Sequence, residues 1–200
     1  MPPLNHAVLS ASSAYRWLEC PPSALATADI PDETTIYAQE GSEAHEMAEY
    51  KIRWHLGAKD LAPPNVGNFN AEEIDRYTDS YAYYATDKIE TIRKICPDAI
   101  VMVEQRLDFS NYVKDGFGTG DLVIVADDVL QVIDFKYGKG VTVSAELNPQ
   151  MMLYALGALN LYGYLYDIKT VKTAIVQPRL DNISEWEISV DELLELSLIH

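Results

Sequence analysis

The sequence predicts an α/β or α+β protein in which helices flank a mixed central sheet that contains an antiparallel three-strand meander. Three observations support this prediction. Apolar residues recur at helical spacing up to about residue 97, whereas beyond it they alternate or run continuously, as strands require. Glycine-, proline- and aspartate-bearing turns separate these runs. We therefore expect a single domain over 1–200, with a helical part at about 1–97 and a sheet core at about 98–190.

Helical signals dominate the first part of the chain. Pro21 and Pro22 stop a short first helix, and Gly57 ends a longer second one. A third helix ends before Pro97 and carries tyrosines and isoleucines at helical spacing, which is typical of a face packed on the core. The predicted helices cover about 12–20, 37–56 and 71–95.

The sheet is predicted from the stretches AIVMVEQRL, DLVIVAD and LQVIDFK. The loop NYVKDGFGTG separates the first two strands, and a tight turn at Asp127 and Asp128 separates the next two, so the three form the meander. A helix at about 149–161, a strand TVKTAIVQP, a candidate strand EWEIS and a helix opening at Asp191 follow. The last residues, ELLELSLIH, have the pattern of an unfinished amphipathic helix, and we expect a chain truncated at its C-terminal end.

Composition limits the classes of function. The chain has 48% hydrophobic residues, and 15 Lys and Arg against 31 Asp and Glu give a formal charge of -16. Such a surface repels phosphate and anionic membranes, so any contact with nucleic acid must be local. Two cysteines are too few for a disulfide framework, and the start lacks a secretory signal. The apolar stretch 151–166 is shorter than the roughly 20 residues of a membrane span. We expect a cytoplasmic protein without a membrane partner.

The stretch LQVIDFKYGKG suggests a charged site at the end of a strand. Residues two apart on a strand share a side, so Asp134 and Lys136 project together while Phe135 faces the core. A meander brings Asp121 close to Asp134, and Glu104 on the first strand can join them. Clustered carboxylates repel one another unless a cation or shared protons neutralise them. Oxygen ligands favour Mg²⁺ or Mn²⁺, and a lysine beside them can hold a water or stabilise charge on a phosphate.

An aspartate and a lysine at this spacing are also common as a solvated surface pair worth less than about 1 kcal/mol. Three neighbouring features favour a site instead. The stretch GTGD at 118–121 allows close backbone approach before an acid. Gln150 and Tyr154 lie four apart on one helical face directly after the D-x-K strand. His45 stands in the helical stretch EGSEAHEMAE.

Together these motifs resemble the RecB-like branch of the PD-(D/E)XK nuclease superfamily, and most closely its uncharacterised phage-associated proteins. The resemblance covers about 9–176. It implies a restriction-endonuclease-like core and Mg²⁺- or Mn²⁺-dependent cleavage of DNA, often exonucleolytic, in recombination or repair of phage or mobile-element DNA.

The resemblance also assigns roles to individual residues. Lys136 is the implied catalytic lysine, with Glu104 in the acid cluster and Gln150 and Tyr154 positioning the lysine or contacting the DNA backbone. The implied metal ligands are His45, Asp121, Asp134 and the backbone carbonyl of Phe135. Of these, Asp121 and Asp134 are also implied catalytic residues.

A further stretch, LSASSAYRWLECPPSA, resembles the opening segment of the members of this branch that carry a [4Fe-4S] cluster. There a cysteine before a proline joins three C-terminal cysteines. Only Cys20 fits here, so a cluster is not possible within these 200 residues, although Cys20 could be one ligand in a longer chain. Otherwise we expect Cys20 to be a small buried hydrophobic residue.

The acidic balance leaves open how DNA is held. Either basic residues gather around the cleft, or a partner protein or a missing C-terminal segment supplies the grip. An alternative function is a catalytically inactive module of nuclease fold that binds DNA ends or a partner protein. A purely structural protein is a third possibility, and it predicts that the DFK side chains do not converge with the other motifs. The basic residues considered are Arg106, Lys114, Lys136, Lys139 and Arg179.

Overall fold

The computed structural model describes residues 7–26, 35–67 and 69–197. Its strands are β1 (Ile100–Asp108), β2 (Phe117–Ala126), β3 (Val129–Phe135), β4 (Thr170–Gln177) and β5 (Asn182–Ser189). They form one five-stranded sheet in the order β1-β2-β3-β4-β5. β1, β2 and β3 are the predicted antiparallel meander, β3 and β4 are parallel, and β4 and β5 are antiparallel. The mixed sheet predicted from the sequence is therefore confirmed.

Side-chain caps define where the longer helices begin. The Thr35 and Asn70 side chains accept hydrogen bonds from backbone N–H groups in the first turns of α3 and α4, and Asn148 does the same for α5. A 3₁₀ turn at Ala11–Ser13 precedes the first helix. The helices are α1 (Ala14–Glu19), α2 (Pro22–Ala26), α3 (Ile36–His55), α4 (Ala71–Ile95), α5 (Pro149–Tyr162) and α6 (Val190–Ser197).

The sheet is covered on both faces, which places the core in two layers. On one face, Val132 and its neighbours pack against α1, α5 and α6. On the other, Ile133 and Phe135 pack against the apolar sides of α3 and α4. The alternation along β3 therefore anchors the strand from both sides, and residues at its C-terminal end are held in a defined orientation.

Several local predictions need correction. The first helix ends at Glu19, before the two prolines as predicted, but Pro22 also opens the unpredicted helix α2, because a proline at the first helical position loses no hydrogen bond. The expected loop NYVKDGFGTG is shorter than predicted, since β2 already begins at Phe117. Cys20 is exposed, not buried, and Cys96 is the buried cysteine. The predictions made for residues 1–6 and 198–200 lie outside the described residues.

Within the described ranges, none of the helices combines the length and apolarity needed to cross a bilayer.

Candidate functional site

One histidine and two carboxylates from three different elements meet above the middle of the meander. α3 supplies His45, β1 supplies Glu104 and β2 supplies Asp121, and one ligand atom of each lies within 4.8 Å of the others. The His45 Nδ1 is 3.5 Å from Asp121 Oδ1. We call these three residues the acid–histidine cluster.

Glu104 has a backbone conformation that is uncommon for a residue other than glycine. Its φ is +53°, and it falls between two regular β1–β2 pairs, Val103 with Leu122 and Gln105 with Gly120. Backbone in such a region persists only where the surrounding structure enforces it, and these positions concentrate at functional sites. The distortion of β1 therefore coincides with the one residue that this strand contributes to the cluster.

Asp121 and Phe135 connect the cluster to the end of β3. The Phe135 backbone N–H donates to Asp121 Oδ2 at 2.6 Å. The Phe135 ring lies 5.1 Å from the His45 ring and stacks on Tyr81 at 4.6 Å between centroids. Tyr81 and Glu104 also line a cavity at this point that is too small for a water molecule, and the buried Tyr81 hydroxyl has no hydrogen-bond partner among the described residues.

A second set of side chains, which we call the lysine network, lies on the other side of the β3 end. Lys136 Nζ is 2.8 Å from Asp134 Oδ2 and donates to Gln150 Oε1 at 3.0 Å. Gln150 Nε2 donates to Asp134 Oδ1 at 3.0 Å and to the Tyr154 hydroxyl at 3.2 Å. Gln150 at the start of α5 thus fixes both charges of the D-x-K motif. Asp134 is only 3% exposed.

The protonation of the cluster follows from burial and from its crowded negative charge. Burial lowers the pKa of His45, but the charge and hydrogen bond of Asp121 outweigh it and raise that pKa to about 9. Burial and the charge of Asp121 raise the pKa of Glu104 to about 7. Burial also raises the pKa of Asp134, and the charge of Lys136 opposes that shift. The cluster therefore holds extra protons at neutral pH, which a cation would displace.

The donor set of the cluster fits a divalent cation. One imidazole nitrogen and two carboxylate groups lie within the spacing of a shared ion, and their mutual repulsion raises the pKa of Glu104. Carboxylate oxygens suit both Mg²⁺ and Mn²⁺. The imidazole nitrogen favours Mn²⁺, which is the transition metal of the two. His45, Glu104 and Asp121 are thus the residues that would hold the ion.

The structure brings the sequence-predicted residues together, with one difference in grouping. Glu104, expected only to support the acid cluster, shares the cluster with His45 and Asp121. Asp134, expected to be a metal ligand, has its two oxygens occupied by Lys136 and Gln150. Phe135 adjoins the cluster through its N–H and its ring, and the role of its carbonyl stays a prediction. Because these side chains converge, the purely structural alternative loses its main support.

Arg179, one of the basic residues named for the alternative of a basic cleft, is held by two acids instead. Its guanidinium lies 3.1 Å from Glu40 and 2.9 Å from Glu73, and the side chain is 4% exposed. Tyr81 was missed as a site residue, because a tyrosine stripe at helical spacing indicates a core face and not a cavity wall. The sequence carried no signal for the cavity.

Fold and site together define an α+β protein with a carboxylate–histidine cluster beside a lysine network. More particularly, the chain belongs to the family described as "Protein of unknown function (DUF2800)", whose model matches residues 6–197. Among solved structures, one titled "Crystal structure of SSO0001" is similar at 16% sequence identity and a TM-score of 0.26. That match covers 93% of this chain and 86% of the other. A likeness at this TM-score says nothing about function.

Proposed function

We propose that this protein is a nuclease of the RecB-like PD-(D/E)XK kind, which hydrolyses phosphodiester bonds of DNA with Mg²⁺ or Mn²⁺. The observation that carries the proposal is the placement of the acid–histidine cluster and the lysine network on either side of the β3 end, joined by Asp121 and Phe135. A surface ion pair has no need of such an arrangement. We further propose an exonuclease of the cytoplasm that acts in phage or mobile-element DNA recombination or repair.

The protein's own residues have separate tasks in this proposal. A divalent ion held by the cluster would supply positive charge for the phosphate under attack. Lys136 orients the attacking water and stabilises developing negative charge from the side opposite His45. Gln150 keeps the Lys136 ammonium in place, because its amide binds both that group and Asp134. Asp134 holds the Lys136 ammonium by a direct ion pair.

Cleavage of end-labelled linear DNA and of closed-circular DNA with Mn²⁺ or Mg²⁺ tests this proposal. We expect metal-dependent loss of linear DNA, and a drop of roughly 10²-fold or more in kcat for Lys136→Ala, the range found when one electrostatic stabiliser is removed. Lys94→Ala is the matched control, since Lys94 is an exposed lysine on the last turn of α4. Full activity of Lys136→Ala with normal melting would refute the assignment.

One observation favours a second candidate, the inactive nuclease-fold module that binds DNA ends or a partner protein. Asp134 is buried, its Oδ1 accepts from Gln150, and its Oδ2 lies 2.8 Å from the Lys136 ammonium with no hydrogen-bond partner in the described part of the chain, so a metal bound there would compete with Lys136. The two candidates differ in a simple measurement. If Mn²⁺ raises the melting temperature and DNA binds without being cut, the binding module is the correct function.

A further inference from the structure

A pocket of about 200 Å³ lies beside the proposed catalytic site and is lined by groups that donate hydrogen bonds. Ser10 and Ser12 come from the N-terminal segment, Arg106 from β1 and Thr119 from β2. Tyr154 of α5 forms a further wall. The pocket is therefore lined by the hydroxyls of two serines and a threonine and by one guanidinium. Among the described residues, no carboxylate lines it.

Arg106 is the arginine that lines this pocket, and its charge has no ion-pair partner in the described ranges. No carboxylate in the described ranges lies within ion-pair distance of its guanidinium, whereas Arg53 pairs with Glu49 and Arg179 is paired twice. The guanidinium lies 3.6 Å from the centroid of the Phe117 ring, which holds the group flat and leaves its N–H donors free. In a chain of formal charge -16, an unpaired arginine over a pocket marks a place for an anion.

The serine hydroxyls are already gathered at the rim of the pocket. Ser10 Oγ is 2.8 Å from Ser13 Oγ and 3.3 Å from Ser12 Oγ. A hydroxyl group can turn its hydrogen toward an incoming acceptor. Hydroxyls, backbone N–H groups and one arginine are the donors that proteins use on phosphate oxygens of nucleic acids.

The pocket is connected to the lysine network and to the acid–histidine cluster. Tyr154 lines the pocket, and its hydroxyl accepts from Gln150, which contacts Asp134 and Lys136. Arg106 and Thr119 form a direct β1–β2 pair, only two residues along each strand from the cluster members Glu104 and Asp121. A DNA strand whose scissile phosphate sits at the cluster would therefore present a neighbouring phosphate to this pocket.

We propose that the pocket binds one non-scissile backbone phosphate of the DNA strand that enters the site. This inference rests on the proposed nuclease function and specifies how an acidic protein grips its substrate. The guanidinium of Arg106 pairs with the phosphate charge, and the hydroxyls of Ser12 and Thr119 donate to its oxygens. The contact positions the strand and reads no bases, so binding through it is independent of sequence.

Single methylphosphonate linkages, which remove the charge of one phosphate at a time, locate this contact. Binding of an oligonucleotide series is measured with Ca²⁺ in place of Mg²⁺, for the native protein and for Arg106→Gln. We expect one linkage position where loss of the charge weakens native binding by about tenfold, as loss of one charged hydrogen bond does. In Arg106→Gln the unmodified DNA binds about tenfold more weakly, and that same linkage has no further effect.

Arg93→Gln is the matched control, because Arg93 is an exposed arginine of α4 without a carboxylate partner in the described ranges. It should bind the whole series as the native protein does. Thr119→Val serves as a second pocket variant should Arg106→Gln melt at a lower temperature than the native protein. We expect it to weaken binding at the same linkage position.

Two results overturn the inference and are distinguishable. If the native protein cuts DNA with Mn²⁺ and Arg106→Gln binds every oligonucleotide with native affinity, the phosphate pocket is refuted while the nuclease function stands. If the native protein neither binds nor cuts DNA, both the pocket and the proposed function are refuted. Binding that depends on Arg106 at one linkage supports the pocket even where cleavage is absent.

Discussion

Asp121 has a different partner on each of its two carboxylate oxygens. Oδ1 faces the imidazole of His45, and Oδ2 accepts the backbone N–H of Phe135. The second contact fixes the carboxylate to the strand that carries the D-x-K motif, so a change in β3 is transmitted to the cluster. A carboxylate that already has a backbone donor loses less rotamer freedom when it binds a cation. The residue is therefore preorganised for the role that we propose.

The protons held by His45 and Glu104 predict how metal binding depends on pH. With pKa values of about 9 and about 7, both groups are protonated at pH 6 and only His45 at pH 8. Bound metal displaces these protons, so affinity for Mn²⁺ should rise about tenfold per pH unit from pH 7 to 9 and more steeply below pH 7. Calorimetry in buffers of different ionisation enthalpy should find about two protons released at pH 6 and about one at pH 8.

Glu104→Gln should release about one proton at both pH values, because only His45 then carries a displaceable proton. Glu46→Gln, a change at an exposed acid next to His45, should behave as the native protein does. Proton release that is the same at pH 6 and pH 8 in the native protein would contradict the assignment of the cluster as the metal site.

The same shifts set the sign of the pH dependence of stability without metal. The raised pKa of His45 contributes stability that is complete below pH 6.5 and is lost as the pH rises through about 9. The raised pKa of Glu104 means that its ionisation in the folded state lowers stability as the pH rises from 4.5 through about 7. Both groups therefore destabilise the metal-free protein on the alkaline side, where Mn²⁺ should restore stability most.

At the scale of elements, a buried glutamine holds the loop between Lys136, which follows β3, and Gln150, which lies at the start of α5. The loop 137–148 follows Lys136 and leads into α5. Gln177, 2% exposed at the end of β4, accepts from the Val143 N–H at 2.7 Å and donates to the Val141 carbonyl at 3.1 Å. It also accepts from Asn182 at 2.8 Å. Gln177 therefore shares with the Asn182 amide, which donates to the Val143 carbonyl, and the Ser184 hydroxyl, which accepts from the Ala145 N–H, the task of holding the loop backbone.

Gln177→Ala should destabilise the protein by about 1–3 kcal/mol, because partly buried loop groups lose their hydrogen-bond partners and the buried side chain leaves a gap. It should also lower kcat, since the loop determines how Lys136 meets Gln150. Urea unfolding and the cleavage assay measure the two effects. Gln131→Ala, on β3 of the same sheet, is the control and should leave kcat unchanged. A native kcat in Gln177→Ala would show that the loop does not position the lysine.

The helices and strands were largely predictable, because the signals for them lie within each segment of the sequence. The helix over Ala71–Ile95 has a capping asparagine, a proline shortly after its end and one apolar face, and its predicted bounds agree with the structure. The strand pattern likewise predicted that Asp134 and Lys136 share a side. The hydrogen bond of Asp134 with Gln150 was not predictable because it depends on how α5 packs on β3. The left-handed backbone of Glu104 had no local signal either.

At the scale of the whole molecule, the negative charge and the fate of each basic residue decide how DNA can be held. The chain has 15 basic residues against 31 acidic ones. Several of the lysines, among them Lys51, Lys88 and Lys172, form ion pairs with acids on the surface. Arg179 pairs with Glu40 and Glu73, which lie more than 100 residues earlier in the chain. Such distant partners are invisible in a sequence pattern, so the sequence could not show that Arg179 is paired within the fold. Arg106 is left as the unpaired arginine nearest the site.

Arg179 instead connects three parts of the fold. Its guanidinium joins Glu40 of α3 to Glu73 of α4 and lies 4.4 Å from the Tyr137 ring centroid, so it fixes both helices against the end of β4. Arg179→Ala leaves two acids together without their cation. We expect a loss of about 2–4 kcal/mol in the free energy of unfolding, below the cost at a fully buried pair because both acids are partly exposed.

Arg179 and Arg106 should therefore respond in opposite ways to the same substitution. Arg179→Ala should lower stability and leave the salt dependence of DNA binding unchanged, because the buried guanidinium contacts no phosphate. Arg106→Ala should keep native stability and reduce the slope of log affinity against log salt by about 0.7, the share of one phosphate contact on a single strand. Urea unfolding and binding titrations from low to moderate salt measure both quantities for each variant. A reduced salt slope in Arg179→Ala would mean that this arginine leaves its acidic partners to bind DNA, and that the fold is held together by other contacts.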